Sequence, residues 1–209
     1  MAKSKSRKKS KSKSKSAPQH TEPENKGKVK PSVIKIAVAA ALAGAAGWWW
    51  FGSQQAESRF FDHVQSGVGT LDHVVRHADH GTSGHLSPGE SINYGTNTPT
   101  SGRHGSRPVS PGVYETAQSP TMLVHSLEHG MVVIYYDSLS ADAMATLNEW
   151  SGLYGADFSG IVLTRQPGLD DKLVLTAWHK SLTLDGFDAP AAAVFIDAYR
   201  GRGPENPVR

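Results

Sequence analysis

The chain has 209 residues, with 22 Lys or Arg against 19 Asp or Glu and no cysteine. That length suits one domain of ordinary size plus tails, and the missing thiols exclude disulfides, thiolate nucleophiles and zinc–cysteine cages. The net charge of +3 hides a division: residues 1–30 hold eleven bases against two acids, whereas residues 36–209 hold ten bases against seventeen acids.

Residues 1–32 are dominated by Lys-Ser alternation with almost no apolar side chain, too little to offset ordering entropy, and are predicted to be a disordered cytoplasmic tail. Such basic segments bind nucleic acid or anionic lipid headgroups, and the apolar run that follows favours headgroups over nucleic acid. Residues 33–51 carry one charge, Lys35, near their start and end in Trp48, Trp49, Trp50 and Phe51. The run has the length of a transmembrane helix, with Lys35 able to snorkel. The tryptophans suit a headgroup boundary, and the basic flank puts the N-terminus in the cytoplasm and the rest outside, as in a single-pass cell-membrane protein. A signal peptide cut near Gln54-Gln55-Ala56 is the alternative, and it too leaves the remainder periplasmic or extracellular.

Residues 52–81 read as a juxtamembrane helix or stalk, with Phe60, Phe61, Val64, Val68 and Leu71 near helical spacing and Gly67 and Gly69 weakening it. His73, His77 and His80 would share a helical face, more often solvated than metal-chelating. Residues 82–120 are rich in Gly, Pro, Ser, Thr and Asn and read as ordered loop with one short strand near 90–94. Loops this long inside a compact domain usually serve function. Within it, Pro99-Thr100-Ser101-Gly102-Arg103-His104 makes a stiff turn that presents a histidine.

The chemistry concentrates in residues 121–136. His125 and His129 are four apart and flank Glu128. On a strand they would lie roughly 13 Å apart, whereas one helical turn brings them to roughly 6 Å on one face. Gly130 is the residue to close such a turn in a left-handed conformation, after which residues 131–136 continue as a buried strand. Ser140 then caps a helix over 141–153 that faces the core with Met144, Leu147 and Trp150. Short strands follow at 161–163 and 173–177, separated by a turn containing Pro167-Gly168. A helix starting at 188–190 turns Val194, Phe195, Ile196 and Tyr199 inward and ends before Gly201. The predicted fold over 82–204 is therefore α+β, a small two-layer domain with a mostly antiparallel sheet and two covering helices; residues 205–209 are predicted to be a flexible C-terminus.

Several of these elements together carry a resemblance. Gly84-His85-Leu86-Ser87-Pro88-Gly89-Glu90, Tyr94, Pro99-Thr100-Ser101-Gly102 with His104, Val124-His125-Ser126-Leu127-Glu128-His129-Gly130, Val132 to Ile134 with Tyr136, and Thr176-Ala177-Trp178 resemble the bacterial domain-of-unknown-function 3105 family over roughly residues 80–204. The resemblance implies a membrane-anchored or exported domain without an established activity. Two positions depart from the family pattern: Thr98 stands where a second proline is usual, and His179 where a glycine follows the tryptophan.

Two functions follow from the residues. In the first, His125 and His129 chelate a metal with His104 delivered by the loop, Glu128 as fourth ligand or supporting partner, and His85 in reserve. Neutral imidazoles suit zinc or copper, with iron and nickel also admitted. Met122 and Met131 are either a soft Cu(I) environment or core packing, the latter being commoner. In the second, the domain is a non-catalytic interaction module for a membrane or envelope partner, its histidines bracing the loop. A hydrolase built on Ser126 or Ser101 beside His129 is disfavoured by the absence of a Gly-x-Ser-x-Gly elbow.

Overall fold

The computed structural model describes residues 31–78 and 84–209, side chains at 31–34, 36 and 37 excepted. The tail predicted over 1–32 falls almost wholly outside this range, as does His80. The chain divides into two units at Gly44 and Ala45, and the packing described below belongs to the unit Ala45–Arg209.

A first helix, α1, covers Pro31–Ser66. Among the described residues no helix is long and apolar enough to cross a membrane, and the apolar run 33–51 includes positions whose side chains lie outside the described set. The end of α1 is not a free stalk. Phe60 is fully buried and meets Trp150 and Tyr154 edge-on at 5.3 and 5.1 Å, so residues before 82 supply part of the core. After Ser66 the chain makes a 3-10 turn at Thr70–His73 and a two-residue strand, β1 (Val75–Arg76). His73 and His77 therefore do not share a helical face; His77 Nε2 instead lies 2.7 Å from the Ser181 hydroxyl.

The remaining elements are β2 (Gly112–Tyr114), α2 (Pro120–His129), β3 (Val132–Tyr136), α3 (Ala141–Leu153), β4 (Ile161–Arg165), β5 (Leu173–Ala177), β6 (Lys180–Leu184) and α4 (Ala189–Tyr199). The predicted cap at Ser140 forms, its Oγ accepting the Ala143 N–H, and Asp188 caps α4 in the same way, Oδ1 accepting the Ala191 N–H. No strand forms at residues 90–94, while β2 and β6 join the sheet.

The sheet runs β1-β6-β5-β3-β4-β2. Pairings β1·β6, β6·β5 and β5·β3 are antiparallel, but β3·β4 and β4·β2 are parallel, so the sheet is mixed. The helix α3 between β3 and β4 is the reason, since parallel neighbours need a long crossover.

The expected two layers are in fact three. Val132, Ile134 and Tyr136 of β3 pack with Leu147, Trp150, Phe195 and Ile196 of α3 and α4. Val133 and Tyr135, pointing the other way, pack with Leu123 and Leu127 of α2 and with Val109. Every residue of β3 is buried, as expected of a strand covered on both faces. The face under α2 and the 84–111 loop is the one that carries the histidines.

Candidate metal centre

Helix α2 starts at Pro120, whose fixed φ suits a first helical position. Its end is set by Gly130 at φ 100, with the Gly130 N–H donating to Leu127 O at 2.9 Å and the Met131 N–H to Ser126 O at 3.0 Å. This paired termination is a Schellman motif. It puts His125 and His129 one turn apart on the same face, with Nε2 atoms 3.1 Å apart. For comparison, two donors bonded at about 2.0–2.1 Å to one tetrahedral ion lie about 3.4 Å from each other.

The loop brings two more imidazoles. His85 and His104 form an isolated parallel bridge, in which the Leu86 N–H donates to His104 O at 2.7 Å and the His104 N–H to Gly84 O at 3.1 Å. A clamp holds this arrangement: Arg103 pairs with Glu90 and donates to His85 O at 3.1 Å, and the guanidinium keeps the Glu90 carboxyl below its ordinary range. Tyr94 adds a hydrogen bond to Arg103 O at 2.6 Å. The His85, His104 and His125 ring centroids are 4.9–5.2 Å apart.

Tautomers follow from these bonds. His104 Nδ1 is 2.9 Å from Gly102 O, and His125 Nδ1 is 2.7 Å from Gly105 O. A carbonyl only accepts, so each Nδ1 carries a proton, and in a neutral imidazole of this tautomer the lone pair is at Nε2. Backbone partners of this kind fix the orientation of metal-ligating histidines. His104 is fully buried, and its Nε2 lies 3.0 Å from Glu128 Oε2. The two atoms are close but not aligned as a hydrogen bond, so this Nε2 has no hydrogen-bond partner among the described residues. A buried lone pair facing a carboxylate is costly unless a proton or a metal cation lies between them. Burial, reinforced by the neighbouring imidazoles, holds the His125 pKa below its ordinary value despite the Gly105 bond; His125 therefore stays neutral and able to ligate.

One ligand atom from each of His85, His104, His125 and Glu128 lies within 4.8 Å of the others, a group that could hold a metal ion. Closing this set to about 3.4 Å requires side-chain rotation, and His85, which is exposed, has room for it. His129 does not join that group. It belongs with His125 and Glu205 in a second one, its Nε2 2.8 Å from Glu205 Oε2 and its ring stacked 4.4 Å from that of Phe158.

Glu205, assigned to the flexible C-terminus on sequence, thus reaches the centre. Two glycines admit it. A Cβ on Gly203 would lie 2.2 Å from both Glu128 O and Gly130 N, and one on Gly130 would lie 2.7 Å from Gly203 N. The bare backbones pass in contact, and the Glu205 N–H donates to Glu128 O at 3.3 Å. The Gly201-Arg202-Gly203 run was the one sequence signal for this approach.

Other expected participants are occupied elsewhere. Ser126 is fully buried, its hydroxyl donating to Val109 O and accepting the Val109 N–H, both at 2.9 Å. It fastens the loop to α2 and is not placed as a nucleophile. Met131 and Met122 lie in the apolar cluster beneath α2. Trp178 packs against that cluster, its ring 6.5 Å from that of His104. His179, in the family's glycine position, takes φ 59 in the two-residue turn between β5 and β6, a left-handed conformation that explains the glycine usual there.

The family model described as protein of unknown function (DUF3105) matches residues 85–209, a span that holds every residue of both groups. No curated protein and no solved structure matches. With more than half of its length matched, and with the His-Leu-Ser-Pro, Pro-Thr-Ser-Gly and Leu-Glu-His-Gly elements meeting around one cluster, the chain belongs to the DUF3105 family.

Proposed function

We propose that this domain binds one divalent transition ion, zinc ahead of copper, through His85, His104, His125 and Glu128. The observation that carries the reading is the buried His104 Nε2, whose lone pair stands 3.0 Å from a carboxylate to which it is not hydrogen-bonded. A cation placed there satisfies both atoms. Three neutral imidazoles and a carboxylate are a zinc-like donor set, and the packing of Met122 and Met131 in the apolar cluster keeps thioethers out of it, which disfavours Cu(I). Four protein ligands complete a tetrahedron and leave no open position for substrate, so the reading is binding, not turnover.

The domain acts, in this reading, on the outer side of a cell membrane, anchored by the apolar run at 33–51 with the basic tail against anionic headgroups. The aromatic end of that run supports this: Trp48, Trp49, Trp50 and Phe51 are 57–83% exposed on α1, and exposed apolar surface of this kind marks an interaction site. An envelope protein partner is the competing use of the domain.

Zinc titration of the full chain against a chromophoric chelator tests the site. His104→Gln and His125→Gln should each weaken binding about a hundredfold, and Glu128→Gln about ten- to a hundredfold. A parent chain that binds no zinc above the background of the triple variant returns the domain to the interaction-module reading. The topology is tested separately by a reporter fused after Arg209, and activity confined to the cytoplasm overturns it.

A further inference from the structure

We infer that His125 is shared by two mutually exclusive positions for a single ion, with His129 and Glu205 forming an outer, loading position for the inner set. The inference rests on the metal-binding reading above.

His125 occurs in both groups of potential ligands, yet its Nδ1–H is committed to Gly105 O at 2.7 Å. One lone pair remains, at Nε2, and it serves one ion at a time. The two groups therefore cannot both be filled through His125. They also differ in completeness. The inner set offers three imidazoles and a carboxylate. The outer offers two imidazoles and a carboxylate, leaving a fourth position for water. Its pairs nonetheless stand near coordination spacing, at 3.1 Å for His125 and His129 and 2.8 Å for His129 and Glu205.

Exposure gives the order. The Glu205 side chain is 47% exposed and that of His129 12%, whereas that of His104 is wholly buried. An ion arriving on this side meets the Glu205 carboxylate first. It can pass inward without leaving His125, exchanging His129 and Glu205 for His104 and Glu128, because the His125 ring lies 4.7 Å from that of His129 and 4.9 Å from that of His104. Such stepwise exchange of ligands avoids releasing a fully hydrated ion. His85, also exposed, offers the competing route, and the two routes predict different variants to be slow.

The test uses the full chain and zinc alone, with stoichiometry from equilibrium dialysis and loading rate from stopped-flow competition with a chromophoric chelator. One zinc per chain is expected. Glu205→Gln and His129→Gln should change the equilibrium affinity less than about threefold and slow loading about tenfold or more, whereas Glu128→Gln should lower affinity at least tenfold. Two zinc ions per chain, an unchanged loading rate in Glu205→Gln, or a loss of affinity in Glu205→Gln equal to that in Glu128→Gln would each overturn the shared-ligand scheme while leaving the metal-binding reading intact. A chain that takes up no zinc overturns both.

Discussion

The two faces of the sheet are built on opposite terms. On the face under α3 and α4, the buried residues form one apolar cluster from Phe60 to Ile196. On the face under α2, a smaller apolar cluster around Leu127 and Tyr135 gives way to buried polar side chains: His104, His125, Ser126, Thr164 and Thr176. Several of these are tied to backbone, as Ser126 is to Val109 and Thr164 to the Gln118 N–H. Buried polar groups are tolerated when bonded, so the exceptions are informative. Thr100 Oγ1, Tyr135 OH and Thr176 Oγ1 have no hydrogen-bond partner among the described residues, nor do His104 Nε2 and His129 Nδ1, and these last two belong to the histidine cluster. One face thus stabilises the fold, and the other uses that stability to hold groups that would otherwise be unfavourable.

The largest expected effect breaks the apolar face. Trp150 is 1% exposed, and Trp150→Ala should cost about 3–5 kcal/mol, read as a lower denaturant midpoint with unchanged zinc affinity in the fraction that folds. Next comes the ligand itself. Zinc at about a hundred times its Kd should stabilise the parent by about 2.7 kcal/mol, and a hundredfold weakening in His104→Gln should cut that gain to about 0.4 kcal/mol in calorimetry at the same zinc concentration.

Smaller effects sharpen the contrast. Gly203→Ala forces a Cβ against Glu128 O and Gly130 N, and should cost about 1–3 kcal/mol while slowing zinc loading as Glu205→Gln does. The polar face should also respond to acid. The folded pKa of His125 lies below its ordinary value of 6.5, so the unfolded chain binds its proton more readily. Its contribution to stability is full above pH 6.5 and is lost as pH falls below 6.5 through the folded pKa. Thermal melts of the metal-free protein between pH 7.5 and 5 should show this decline, and His125→Gln should flatten it. At the bottom of the scale, His73→Ala should leave zinc affinity unchanged, since His73 lies on the 3-10 turn and in neither group; a loss above threefold would move the site.

Local chemistry was enough to place much of this. The helical turn through His125, Glu128 and His129, its closure at Gly130, the cap at Ser140, the helix start at residues 188–190, and the apolar strand after Met131 all depend on contacts within a few residues, and each is present. The sequence alone also grouped His85, His104, His125, His129 and Glu128 as candidate ligands, because their residue types and stiff flanking turns limit what they can do. What it could not determine was which of them meet. Only the tertiary structure paired His85 with His104, sent His129 toward Glu205 instead, and brought Phe60 into the core. Those contacts join segments far apart in the chain, where spacing carries no information. The expected two-layer, mostly antiparallel sheet differs for the same reason: the continuous apolar run of β3 suits a strand covered on both faces, but which helix supplies the second cover, and that β4 lies parallel beside it, depend on contacts between distant segments.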